Sequence, residues 1–246
     1  MTFSDIYKTN SLALGASLLG LAFIVCAVIA SYTAFTIKAS GDVVEVTGSA
    51  KVAVKADFAR WTINLETKTP ITNQQVGYDR LETAKNKIVN YLSEQGFTEI
   101  ETPVATIMPT YIYPQYGEPI QTGYVVNRTI IVRSSDIAAI SNLANTITPL
   151  SGADYQVTSN GLELTYQKLP ETRVTLLTDA IADAKARAEA IAKETGRSVG
   201  VLRSATGGVV QVLPEGGVDV SDYGMYDTQN VNKEVMVTVR ATFTLK

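Results

Sequence analysis

Three aspartates, Asp219, Asp222 and Asp227, crowd the segment GGVDVSDYGMYD. Clustered carboxylates are the ligands a hard divalent cation takes, but this spacing does not match an EF-hand loop. A solvated, turn-rich hairpin is the competing reading of the same residues. The rest of the chain offers less. It contains no histidine, so Ser-His-Asp and Cys-His catalytic arrangements are excluded. Its single cysteine, Cys26, rules out an intrachain disulfide and a thiolate metal cluster. No Ser-x-x-Lys dyad occurs, and the stretch ATGGVV from Ala205 to Val210 lacks the lysine that a phosphate loop requires. No catalytic, cofactor-binding or metal-ligating residue is therefore assigned, and the chain is expected not to be an enzyme.

The most unusual local composition is PTYIYPQYGEPIQTG, residues 109 to 123. Tyr111, Tyr113, Tyr116 and the nearby Tyr124 accompany Pro109, Pro114 and Pro119 in a long loop or hairpin tip. Tyrosine buries much area at little entropic cost and is enriched at interfaces. These four tyrosines are the candidate subunit or partner interface. The competing readings are an ordered loop that packs its own tyrosines, and glycan binding. The sequon Asn127-Arg128-Thr129 falls inside an expected strand, which argues against glycosylation there.

These residues need elements to position them. No charge occurs between Lys8 and Lys38, and the stretch GASLLGLAFIVCAVIASYTAF from Gly15 to Phe35 lies inside that gap. A helix from Leu12 to Ile37 would be about 39 Å long, more than the roughly 30 Å of a bilayer core. A cleaved signal has a shorter apolar region ending in a small-x-small site, and CAVIASYTAFTIKASG offers no clean one. A retained transmembrane signal anchor over residues 11–37 is favoured over a cleaved signal or a buried core helix. A short tail, 1–10, precedes it and a linker, 38–42, follows. Ala22, Cys26, Ala30 and Ala34 share one helical face, and Ala16 with Gly20 makes a second small pair. Small faces let membrane helices approach closely, although alanine and glycine are common in any such helix. Lys8 and Lys38 flank the segment evenly, so orientation rests on the usual signal-anchor topology. That places the N-terminus in the cytoplasm and the domain outside it.

The 246-residue chain has a formal net charge of -3, and its Lys and Arg form no run. Nothing suggests a nucleic-acid surface. In the remainder, 43–246, apolar and polar residues alternate along Val44–Lys55 and again along Ala59–Glu66, a hairpin or long bent strand pair. Val76, Leu81, Ala84, Ile88 and Leu92 mark a helix over 72–95 that Gly96 ends. Strands are expected over 97–108, 122–133, 153–167, 199–213 and 231–245. Ser135 and Asp136 suit the cap of a short helix. Pro170 and Glu171 open a longer one with an apolar stripe at Val174, Leu177, Ile181, Ala184, Ala188 and Ile191. The architecture this predicts is α+β: an N-terminal transmembrane helix, then a mostly antiparallel sheet with helices packed on one face.

Three stretches resemble the SIMPL-domain family. VVEVTGSAKVAVKADFARWTINLET looks like the family's opening strands, TGYVVNRTIIVRSSDI is similar to its Gly-Tyr strand before a helix, and DAIADAKARAEAIAKETGRSVGVLRSATGG looks like its alanine-rich helix, glycine and strand. The order is that of the family over 43–246. Two features depart from it: Ala56 stands where proline often precedes the aspartate, and an anchor replaces the cleavable signal of many bacterial relatives. The resemblance implies an extracytoplasmic or periplasmic protein. Some relatives form channel-like homo-oligomeric rings, and some are linked to envelope or oxidative stress. It carries over no catalytic residue.

The expectation is therefore a membrane-anchored homo-oligomeric scaffold, ring- or cage-like, with an envelope-stress role implied by the resemblance. Its partners are the lipid bilayer and further copies of itself. The alternative is an accessory or binding subunit of another membrane protein complex. No cofactor is expected.

Overall fold

In β2 (Phe58–Thr69) the alternation expected from the sequence is the alternation observed. Ala59, Trp61, Ile63 and Leu65 are sealed from solvent, whereas Arg60, Thr62, Asn64 and Glu66 are only half-buried on the other face. The computed structural model describes residues 17–34, 42–147, 150–217, 221 and 223–246. Lys8, Ala16, Lys38, Asp219 and Asp222 lie outside the described residues, as do the tail 1–10, both ends of the expected anchor and most of the linker.

An apolar helix, α1 (Ser17–Ala34), comes first. It is followed by β1 (Val43–Lys55), β2, α2 (Gln74–Glu94), β3 (Glu99–Glu101), β4 (Thr106–Ile112), β5 (Ile120–Ser134), α3 (Ile137–Thr146) and β6 (Gln156–Thr165). The chain ends with α4 (Leu169–Glu194), β7 (Val199–Gly207), β8 (Gln211–Pro214) and β9 (Asn232–Leu245). This is the expected α+β class with antiparallel strand pairing, but the strands are shared between two sheets. One has the order β3-β5-β2-β6, with β4 also on β5. The other has the order β1-β9-β7, with β8 also on β9.

Of the two arrangements the sequence allowed, β1 and β2 therefore do not form a hairpin, since they lie in different sheets. At their junction the amide of Ala56 donates to Val231 O (2.8 Å) and that of Asp57 to Thr165 O (3.0 Å), so the chain passes from one sheet to the other. Local alternation could not show this, because both outcomes leave a period of two in each strand.

The described residues form two compact units, one lying within 50–176 and 209–237, the other within 17–49, 177–208 and 238–246. In the first, α2 packs on β2 and β5, and α3 on β2 and β6. Its core joins Trp61, Ile63 and Leu65 to Leu81, Ile88 and Leu92 of α2, Val126 and Ile130 of β5, and Ile140 of α3. Asn73 Oδ1 accepts from the Val76 amide to cap α2, and Asp136 Oδ1 accepts from the Ala139 amide to cap α3. Gly96, at φ +91°, ends α2 as a left-handed glycine. The buried stripe of α2 begins at Gly77, not at the expected Val76. A Cβ at Gly77 would meet Val126 Cγ2 at 2.7 Å, so the closest approach of helix to sheet falls there.

In the second unit α4 buries Ala180, Ala184, Ala188 and Ala192. The stripe expected from the sequence is only partly right: Ala184 and Ala188 are buried, but Leu177 and Ile191 are exposed. Gly48 of β1 explains the choice. A Cβ there would collide with the Ala180 carbonyl and the Ala184 amide, so the helix backbone lies directly on the strand and only alanine fits beside it.

Candidate interaction surface

The tyrosine-proline segment is a hairpin, not a long loop. β4 and β5 pair antiparallel from Thr106↔Asn127 to Ile112↔Ile120, which leaves only residues 113–119 as the connection. The ladder shifts register between Thr110 and Tyr111, and the Thr110 and Thr122 hydroxyls lie 3.1 Å apart. Gly117 turns the connection at φ +108°. Pro109 is tolerated because β4 lies at a sheet edge.

This geometry divides the four tyrosines. Tyr111, Tyr113 and Tyr116 gather at the hairpin end, where Tyr113 is 75% and Tyr116 87% exposed. The Tyr111 and Tyr113 rings lie 6.4 Å apart at 48°. Tyr124 is held back in the sheet, in register with Pro109 on one side and Thr69 on the other, and is half-buried. Met108, Ile112 and Ile120, which the aromatic pattern did not single out, are each about 60% exposed beside the tyrosines. The signal that would have found them is charge: Glu118 is the only charged residue between Glu101 and Arg128.

The opposite, polar face of this sheet is internally paired. Arg60 Nη1 lies 3.0 Å from Glu163 Oε2, and Arg133 Nη1 lies 2.5 Å from Glu101 Oε1. The Arg133 guanidinium holds the Glu101 carboxyl below the usual range. Asn127 and Thr129 lie within β5, and Thr129 Oγ1 donates to Asn64 Oδ1 at 3.2 Å, so the sequon is part of the sheet.

Of the three aspartates, only Asp227 is described, and its carboxylate is engaged. Oδ1 accepts from the Gln229 amide (2.9 Å) and from Asn230 Nδ2 (3.2 Å). Oδ2 lies 3.2 Å from Lys233 Nζ, which also donates to the Asp227 carbonyl. Lys233 is fully buried, on the same face of β9 as Val235, Val237 and Val239. Desolvation pushes the Asp227 carboxyl up, but the Gln229 amide, Lys233 and Asn230 together hold it below its ordinary value. Among the described residues no three His, Cys, Asp or Glu side chains group as a metal site would require.

α1 is exposed along all of Ser17–Ala34 and is long and apolar enough by composition to cross a membrane. Gly20, Ala22, Cys26, Ala30 and Ala34 lie on it, and a Cβ at Gly20 would meet nothing within 4 Å.

These features define an α+β protein with an apolar N-terminal helix and an exposed aromatic hairpin. The SIMPL family model, described as a protein of unknown function (DUF541), matches residues 44–243. The chain belongs to this family. Comparison with curated proteins finds no match.

Proposed function

We propose that the chain is a non-catalytic, membrane-anchored extracytoplasmic scaffold that self-assembles into a homo-oligomer, with α1 as the retained anchor and its N-terminus in the cytoplasm. The observation that supports self-assembly most is the β4–β5 hairpin end. Met108, Ile112, Tyr113, Tyr116 and Ile120 are each exposed along one hairpin, on a segment with one charge. Exposed apolar patches of this kind mark interaction sites, and rigid aromatic anchors are the usual centres of them. A second copy presents the same patch, so a self-complementary contact needs no further partner. An envelope-stress role is consistent with this reading through the family resemblance.

Light scattering and electron microscopy of the full-length protein in detergent test the reading. The expected result is a defined oligomer at micromolar concentration. Ile112→Ser combined with Tyr116→Ser should shift it to smaller species without changing Trp61 fluorescence. A strict monomer would sink self-assembly. A stoichiometric foreign protein retained in mild detergent would instead favour the accessory subunit.

A further inference from the structure

Arg128 departs from every other cation on its sheet. It lies on β5 in register with Leu65 of β2, on the helix-covered face, flanked along its strand by the buried Val126 and Ile130. Its side chain is only 16% exposed. Its Nε is sealed from solvent and has no hydrogen-bond partner. Its ion pair is a loose one: Nη2 stands 3.7 Å from Glu82 Oε2 on α2, beyond hydrogen-bond distance. Lys85, one turn further along α2 and equally screened at 15%, pairs with the other oxygen, Glu82 Oε1. Two well-screened cations therefore share one carboxylate, and that carboxylate is half exposed.

A guanidinium carries five donors, and a buried donor left unbonded is costly. A protein that meant only to neutralise Arg128 would bring a carboxylate into fork contact with it. Here Glu82 is drawn to Lys85, and the Lys85 ammonium holds its carboxyl below the usual range. One positive charge is left over. β3 pairs with Ile131–Arg133 and β4 with Ile120–Asn127, so Arg128, Thr129 and Ile130 have no partner strand on that side of β5.

We propose that Arg128 and Lys85 form the recognition centre of a small-oxyanion site, where a free carboxylate or phosphate takes the place that Glu82 half fills. The anion accepts from the guanidinium tip and the ammonium, and Glu82 swings outward into the solvent it already meets. Glu82 is thus a built-in competitor that leaves the empty site with one net positive charge instead of two. The site is distinct from the hairpin surface and does not depend on the self-assembly reading.

The test uses the full chain in detergent at constant ionic strength. Labelled inorganic phosphate is measured by equilibrium dialysis, and acetate by competition and by its effect on thermal unfolding against chloride. Saturable binding of one anion per chain is expected. Glu82→Gln should tighten it at least about fivefold, the effect of removing one unit charge some 4 Å away in water. Lys85→Met should weaken it by a similar factor, and Arg128→Met should abolish it. Should Arg128→Met fail to fold, the opposed effects of the two α2 variants still decide. Phosphate binding without acetate competition supports the site and narrows it to phosphate, and stabilisation by acetate alone narrows it to carboxylate. Absence of saturable binding by either anion, or binding indifferent to Glu82→Gln and Lys85→Met, overturns the proposal.

Discussion

Lys233 and Asp227 show how one residue pair governs a loop. The buried ammonium is tied to both the carbonyl and the carboxylate of Asp227, and the carboxylate in turn gathers the amide of Gln229 and the side chain of Asn230. The segment so fixed is stitched to its neighbours by backbone bonds: Leu164 N to Thr228 O, Val212 N to Met225 O and Asp227 N to Val212 O. Removing one partner strands the other charge in the interior. Asp227→Ala should cost about 3–5 kcal/mol, and the double change to Asp227→Ala with Lys233→Met should recover much of that. Urea unfolding followed by the single tryptophan, Trp61, measures both, and an unchanged midpoint in Asp227→Ala would show that the pair clamps nothing. The pair also sets a pH dependence. The folded carboxyl titrates below its ordinary value, so its stabilisation is complete above the unfolded pKa of about 3.9 and is lost as pH falls further toward the folded pKa. The acid limb of the wild-type curve should therefore be steeper below pH ~4 than that of Asp227→Asn. The sequence hid this pair because a lysine in an alternating strand reads as solvated. Strand parity with Val235 was the available signal, and composition overrode it. Arg128 was hidden in the same way.

At the scale of the element, α4 separates what was legible from what was not. Its start, its length and the glycine after it, Gly196 at φ +71°, follow from Pro170, Glu171 and the alanine-rich run. The strands' alternation, the glycine that ends α2 and the cap of α3 were readable for the same reason: each depends on residues a few positions apart. The buried stripe of α4 was not, because the helix carries two apolar stripes and the larger side chains look like the better core. The deciding residue, Gly48, lies more than a hundred positions away. Asp183 adds to this docking, since its carboxylate accepts from the Ser49 amide at 2.8 Å and from Arg187 Nε at 2.8 Å. The sharing of strands between two sheets and the reach of the β4–β5 hairpin were likewise set by distant partners. The two stripes make opposite predictions. Gly48→Ala should destabilise the protein by about 1–3 kcal/mol, the cost of overpacking against backbone that cannot yield. Ile191→Ser, on the exposed stripe, should change stability by no more than about 0.5 kcal/mol. Thermal unfolding by circular dichroism checks both, and a large loss in Ile191→Ser with none in Gly48→Ala would restore the stripe of larger residues.

At the scale of the whole molecule, the proposed function assigns association to two surfaces: the hairpin end and α1. The first is apolar on a folded domain and gains from leaving water. The second, as the proposed membrane anchor, would not gain in that way, because lipid tails are as apolar as its own side chains. Association of such an anchor would rest on close backbone approach, for which the proposed face is Ala22, Cys26, Ala30 and Ala34. Under the proposed function the two contributions have different physical origins and share no residue, so their effects on assembly should add as free energies. Ala30→Leu widens the small face at its middle and should weaken assembly of the full chain in detergent while leaving Trp61 emission unchanged. Combined with Ile112→Ser and Tyr116→Ser, its fold-change in the assembly constant should multiply that of the hairpin variant. Light scattering across a concentration series measures each constant. An Ala30→Leu chain that assembles like wild type would reduce α1 to a tether and leave the hairpin to carry association alone.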